Sequence, residues 1–329
     1  MKTKLKKEKR KINTKKNVKK RVFITAPLPF IAKEMLSKKF EVVEHKSEKI
    51  SKEGLVKALQ TYDGILSIIP NIFDEDVLKL ATITKVISNF AVGLDNIDLK
   101  AAKKMKIKIC NLPNIVTDAT ADLTLALLLS YARQIEPASN YVKLNKWKSI
   151  KLDIFVGESL KNKTLGIIGF GRIGQEVAKR ALAFGMKVVY SHPRIAKVYV
   201  KDVFSKSSKV EISSFEKLLK DSDFISLHTP LTDETKHLID LKAFEKMKKK
   251  PFLLNLARGA VVKTCDLIVA LEKGLIKGAA LDVVDPEPIF HHKLLKFDNC
   301  VIVPHIGTST IECREQMAEK AALNLIRYL

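Results

Sequence analysis

Three side chains suited to reducing a carbonyl stand in three separate stretches of the chain. They are Arg258 in Asn255-Leu256-Ala257-Arg258-Gly259, Glu287 in Asp282-Val283-Val284-Asp285-Pro286-Glu287-Pro288, and His305 in Pro304-His305-Ile306-Gly307. An arginine clamps a substrate carboxylate and polarises the neighbouring carbonyl. A histidine gives its proton to the carbonyl oxygen as hydride arrives at the carbon, and a nearby carboxylate favours the protonated ring. Together the three suit a 2-keto acid. Singly, each has a plainer reading: Arg258 as a strand-end cap, Glu287 as a solvated loop residue, His305 as a satisfied core histidine. Ser309 and Glu312 also fit a capping box opening the last helix, which is compatible with catalysis just before it.

A hydride needs a donor, and the run Gly169-Phe170-Gly171-Arg172-Ile173-Gly174 supplies a place for one. It follows the apolar strand-like Leu165–Ile168 and opens a helical stretch, the context in which three such glycines bind a dinucleotide. Gly169 makes the tight turn, Gly171 lets backbone approach a pyrophosphate, and Gly174 lets helix and strand pack closely. The helix N-terminus then meets the anion with free N–H groups and a favourable dipole. An acid about 20 residues on would bind the ribose 2′-hydroxyl of NAD. Here Tyr190-Ser191-His192-Pro193-Arg194 carries no carboxylate. Ser191, His192 and Arg194 suit a 2′-phosphate, so the cofactor is NADP or NAD, with NADP slightly favoured.

These residues must be held by a scaffold, and the chain alternates strand and helix from Arg21 onward. Short apolar runs at Val22–Thr25, Gly64–Ile68, Val86–Phe90 and Ile107–Cys110 are separated by helical stretches. Such alternation implies a parallel sheet covered by helices. A Leu/Ala-rich helix follows Thr117, and a second series runs from Thr164 to about Cys300. Its continuous apolar strands are of the kind buried on both faces. All three polar segments follow such strands, where ligands gather in open α/β sheets.

The remaining composition bounds the answer. The chain has 329 residues, 46% of them hydrophobic, with 59 Lys+Arg against 36 Asp+Glu and a net charge of +23. Residues 1–20 hold eleven Lys or Arg and one Glu, so +10 sits there and +13 is spread over the rest. This tail is expected to be disordered; read as a nuclear import patch or RNA arm it makes a weaker case than as a solvated extension. No apolar run approaches the ~18 residues of a membrane span. Cys110, Cys265, Cys300 and Cys313 are scattered, which argues against a disulfide framework or a metal site and suits a cytoplasmic protein.

From Arg21 to Leu329 the chain resembles the NAD(P)-dependent D-isomer-specific 2-hydroxyacid dehydrogenases. Four segments appear in that family's order: Gly169–Gly174, Asn255–Gly259, Asp282 to Pro288, and Pro304–Gly307. The resemblance implies two Rossmann-like α/β domains with parallel sheets, the cofactor domain (112–304) inserted into a discontinuous substrate domain (21–111 completed by 305–329). It implies catalytic Arg258, Glu287 and His305 and a substrate-carboxylate loop at Ala91–Asn96, with the N–H groups of Val92 and Gly93 as donors. For the cofactor it implies Thr117, the Gly169–Gly174 turn, His228-Thr229-Pro230, Leu256, Ala257, and Asp282 on the nicotinamide carboxamide. A homodimer is implied, with the helix near Ala119–Arg133 at its interface, and closure of the domains over the substrate.

Within the family, Leu112–Asp122 and Gly166–Gly174 look most like glyoxylate/hydroxypyruvate reductases, although His192-Pro193 replace that subgroup's Ser-Arg. The expected activity is reduction of such a 2-keto acid to the D-2-hydroxy acid, with His305 as proton donor. The competing readings are a corepressor of the C-terminal-binding-protein type, which binds NAD(H) and protein partners, and a D-3-phosphoglycerate dehydrogenase. Nucleic acid as a partner rests on the basic tail alone, and a membrane partner has no support.

Overall fold

A computed structural model describes residues 19–191, 209–288 and 293–329. Most of the basic tail, together with His192 and Arg194, lies outside the described residues. The chain divides into two compact units. Of the described residues, one unit contains those up to Phe90, Asn96–Asn111 and Ala318–Leu329; the other contains Ala91–Asp95 and those between Leu112 and Met317.

The first unit is a five-stranded sheet, β1 (Arg21–Ile24), β2 (Glu41–Glu44), β3 (Gly64–Ser67), β4 (Val86–Asn89) and β5 (Lys108–Cys110), in the order β2-β1-β3-β4-β5. Every pairing is parallel. The short apolar runs become central strands because β3 and β4 are buried along their whole length. Polar side chains are admitted only where they pair. Ser88 Oγ donates to the Ala321 carbonyl at 3.0 Å, and Asn324 Nδ2 donates to Ser88 Oγ at 3.4 Å. The end of the helix Ile311–Tyr328 is thereby fixed on β4. At the carboxyl ends of β3 and β4, Ser67, Asn89 and Asn96 form a buried hydrogen-bonded chain.

The second unit is a seven-stranded parallel sheet: β6 (Thr164–Ile168), β7 (Lys187–Ser191), β8 (Val210–Ile212), β9 (Phe224–Leu227), β10 (Phe252–Asn255), β11 (Gly278–Leu281) and β12 (Cys300–Ile302). The order is β12-β11-β10-β9-β6-β7-β8. The direction of winding reverses between β6 and β9, which opens a crevice at their carboxyl ends. Helix Thr117–Ala132 has Thr120, Ala121, Thr124, Leu125, Leu127, Leu128 and Ala132 buried, and joins Val177, Ala178 and Ala181 of helix Arg172–Ala183 in one core. The opposite face carries a second core around Leu218, Phe244 and Leu267.

The compact units differ from the sequence-based boundaries at two places, since 91–95 and 305–317 group with the second unit. Hydrogen bonds give the reason. Leu112 N–H donates to the Ala91 carbonyl at 2.9 Å, and Asp282 takes the N–H groups of Ile306 and Gly307. The cap of the last helix also shifts by one residue. Thr310 Oγ1 accepts from Cys313 N–H at 3.1 Å, while Ser309 Oγ accepts from Arg314.

Candidate active site

The three turn glycines have separate structural reasons. Gly169 has φ of +95°, a conformation that strains any residue with a Cβ. A Cβ on Gly174 would overlap the Gly169 carbonyl, so helix and strand approach at a distance only glycine permits. A Cβ on Gly171 would meet nothing within 4 Å. The space beside Gly171 is therefore not demanded by packing, and backbone stands open to a ligand there. Gly171 is the N-cap of Arg172–Ala183, makes no side-chain cap, and is followed by no acid in the first turn. That donor set and dipole fit a diphosphate.

Neighbouring groups extend the same crevice. Ser191, buried at the end of β7, accepts from Gly169 N–H through its carbonyl at 2.8 Å. His228 follows β9 with its backbone against Gly169. Its Nε2 pairs with Ser226 Oγ at 2.8 Å, and its buried Nδ1 has no partner among the described residues. Desolvation pushes this imidazole down to about 3, so the ring is neutral and can accept or donate according to tautomer. Thr229 is buried, and the Pro230 carbonyl accepts from Thr235 Oγ1 at 2.6 Å. Thr117 opens the long helix, while Arg172 and Ile173 lie in the first turn of the glycine-turn helix. Phe170 is turned inward, stacked on Tyr190 at 3.9 Å, so this ring serves the core and only its backbone faces the turn.

Arg258, Glu287 and His305 come from the loops after β10, β11 and β12, three adjacent strands. Asn255 shapes the first loop: its Oδ1 accepts from Ala257 N–H at 3.1 Å and its Nδ2 donates to the Arg258 carbonyl at 3.0 Å. Leu256 and Ala257 are buried behind it. A Cβ on Gly259 would overlap the Val284 carbonyl, so the arginine loop lies directly on the loop that carries Glu287.

Glu287 Oε2 meets His305 Nδ1 at 3.0 Å, and its Oε1 accepts from Val284 N–H at 3.1 Å. The pair is part-exposed, with side chains 33% and 38% accessible for His305 and Glu287, so solvent reaches the histidine. His305 has φ of +54°, an uncommon state for a non-glycine residue. Asp282 holds that turn. Its carbonyl accepts from His305 N–H at 3.0 Å, and its two carboxylate oxygens accept from Ile306 and Gly307 N–H at 2.6 and 2.9 Å. Burial pushes the Asp282 carboxyl up, and those backbone donors pull it back. The expected carboxamide ligand is thus engaged with the backbone that follows His305.

The loop with Val92 and Gly93 lies against Arg258, because a Cβ on Gly93 would overlap Arg258 Nη2. Sequence reasoning missed Asp95, which accepts from Arg258 Nε at 2.9 and 3.1 Å. The available signal was an acid in a loop read as an anion site, which has to be neutralised by something. Among the described residues no group of three His, Cys, Asp or Glu could hold a metal ion, and no helix is long and apolar enough to cross a membrane.

The chain is similar to known proteins over most of its length. The NAD-binding domain of the D-isomer specific 2-hydroxyacid dehydrogenases matches residues 125–307. A glyoxylate reductase of Thermococcus litoralis is 44% identical over 316 residues, covering 94% of both chains. A solved protein of Thermus thermophilus superposes with a TM-score of 0.85 at 40% identity, covering 93% of this chain and 96% of that one. A glyoxylate reductase from Paecilomyes thermophila gives 0.82 at 29% identity, covering 93% and 94%. With its doubly wound sheets, its glycine turn and its paired histidine and glutamate, the chain belongs to the D-isomer specific 2-hydroxyacid dehydrogenase family.

Proposed function

We propose that the protein reduces glyoxylate or hydroxypyruvate to the D-2-hydroxy acid, using NADPH or NADH. The observation that carries this reading is the 3.0 Å His305–Glu287 pair, with the Arg258 loop packed directly on the loop that supplies Glu287. A bound nicotinamide supplies hydride to the keto carbon. Arg258 binds the substrate carboxylate, assisted by the loop at Val92 and Gly93, and draws electron density from the carbonyl. Glu287 holds the Nδ1 side of the imidazole, which assigns Nε2–H to the carbonyl oxygen as proton donor. The turn Gly169–Gly174, Thr117, Ser191 and the His228–Pro230 segment hold the dinucleotide. The absence of a carboxylate at the end of β7 supports NADP over NAD. Steady-state rates for a panel of 2-keto acids with each cofactor test the reading. The expected result is highest kcat/KM for glyoxylate or hydroxypyruvate with NADPH; no turnover with any of them defeats it.

The working form in this reading is a cytoplasmic homodimer. The expected interface helix near Ala119–Arg133 is consumed largely by its own core. Exposed apolar surface lies instead just beyond it, at Leu144, Trp147, Ile150, Leu152 and Val156, each 60–93% exposed. Helix Ile135–Lys143 beside them buries no residue. An apolar surface of this kind marks an association site. Solution mass by light scattering distinguishes a dimer from a monomer. Four unpaired cysteines suit a reducing compartment.

A further inference from the structure

We infer that Asp95 is a positioning residue for the reaction, setting the rotation of the Arg258 guanidinium so that one fixed nitrogen meets the keto acid. The inference rests on the proposed keto-acid reading of the site. Both Asp95 oxygens take the same donor, Nε, at 2.9 and 3.1 Å. On the other side Nη1 donates to the Ala257 carbonyl at 2.8 Å. Two anchors on different nitrogens of a planar group fix its plane, which one anchor cannot do. Nη2 then lies in the notch left by Gly93, where any side chain would overlap it and also crowd Asp95 Oδ1 at 2.6 Å. Gly93, Asp95 and Arg258 therefore pack as one unit, although 163 residues separate the ion pair in sequence.

The chemistry explains why an acid stands in an anion site. Coordination through Nε leaves the Nη side of the guanidinium for the substrate, whereas a carboxylate seated across Nη1 and Nη2 would block it. The side chains of Arg258 and Asp95 are 23% and 29% exposed, enough for an incoming carboxylate to reach the arginine while the pair stays largely shielded. An arginine in this place without its second anchor would sweep several rotamers and lose the aligned geometry on which carbonyl polarisation depends.

The test compares Asp95→Ala with Asp95→Asn, whose amide oxygen can still accept from Nε. The measurements are kcat and KM for glyoxylate, dinucleotide Kd by fluorescence, melting temperature, and the Arg258 Nε–H resonance in ¹⁵N-edited NMR, assigned by its loss in Arg258→Lys. For Asp95→Ala the expected result is a fall in keto-acid kcat/KM of about 10²-fold, the scale of a small misplacement, with dinucleotide Kd within about twofold. The Nε–H signal broadens or shifts in that variant. Asp95→Asn recovers most of the rate and keeps the signal. Unchanged kcat and KM in Asp95→Ala overturn the inference, as does an unchanged Nε–H signal or a loss that follows dinucleotide affinity. If Asp95→Ala fails to fold, Asp95→Asn and the wild-type Nε–H signal decide: a signal exchanging as fast as a solvent-exposed arginine overturns the inference. A wild-type protein without keto-acid turnover defeats the functional reading instead, and the resonance then judges Asp95 independently.

Discussion

The glycine turn and the His305 cluster sit at the carboxyl ends of strands of one sheet but are built in opposite ways. The turn is six consecutive residues whose work is done by backbone: a Cβ on Gly169 or Gly174 would strike protein, whereas Gly171 faces open space. The His305 region is built from two side-chain pairs, Asp95–Arg258 and Glu287–His305, carried by loops after neighbouring strands that rest on one another at Gly259 and Val284. A backbone site tolerates no added atoms; a side-chain site tolerates no lost ones. In the proposed reaction, nucleotide binding and proton transfer would therefore break through different substitutions.

That difference is sharpest at His305. His305→Ala is expected to lower kcat for glyoxylate by about 10²- to 10⁴-fold, the usual worth of a general acid, with dinucleotide Kd within about twofold. Steady-state kinetics beside fluorescence titration checks it, and parallel loss of both would merge the two regions. Arg258→Ala should lower kcat/KM by about 10²-fold with a clear rise in KM, since both binding and polarisation are lost. Loss of kcat/KM without any change in KM would remove the carboxylate from its role.

The turn answers to the opposite operation. Gly171→Val adds atoms where no protein atom lies within 4 Å, so melting temperature should hold while dinucleotide Kd rises by about tenfold, or about 1.4 kcal/mol. Gly174→Ala, by contrast, should lose about 1–3 kcal/mol of stability through overpacking. Equal effects of the two on melting would deny that Gly171 is kept for a ligand.

A pH-dependent effect concerns acid stability at His228. Its imidazole sits near 3 in the folded chain against an ordinary 6.5, so below 6.5 the unfolded chain takes up a proton that the folded chain refuses. The resulting stability is present above pH 6.5 and is lost as pH falls toward 3. His228→Gln should show a shallower fall of melting temperature between pH 6.5 and 4, measured against wild type in the same buffers.

Sequence alone made the turn legible because its geometry is local: three glycines at fixed spacing after a strand report their own backbone. Arg258, Glu287 and His305 could be named because each follows an apolar strand, and strand ends are where such folds bind. What remained hidden depends on distance through space. Asp95 is 163 positions from the arginine it anchors, and no local pattern encodes that meeting. The inward turn of Phe170 was hidden likewise, because a ring in a glycine loop can face ligand or core with the same neighbours in sequence.

The junction of Ser88 with Ala321, 233 residues apart, bears on how the protein is made. A ribosome delivers the first sheet before the second, yet the helix that seals β4 emerges only after the strands of both. The second unit, begun later, has its strands complete by Ile302 and can close first. The nascent chain must carry an open-faced first sheet while the second is made, so the earlier strands are sealed after the later ones.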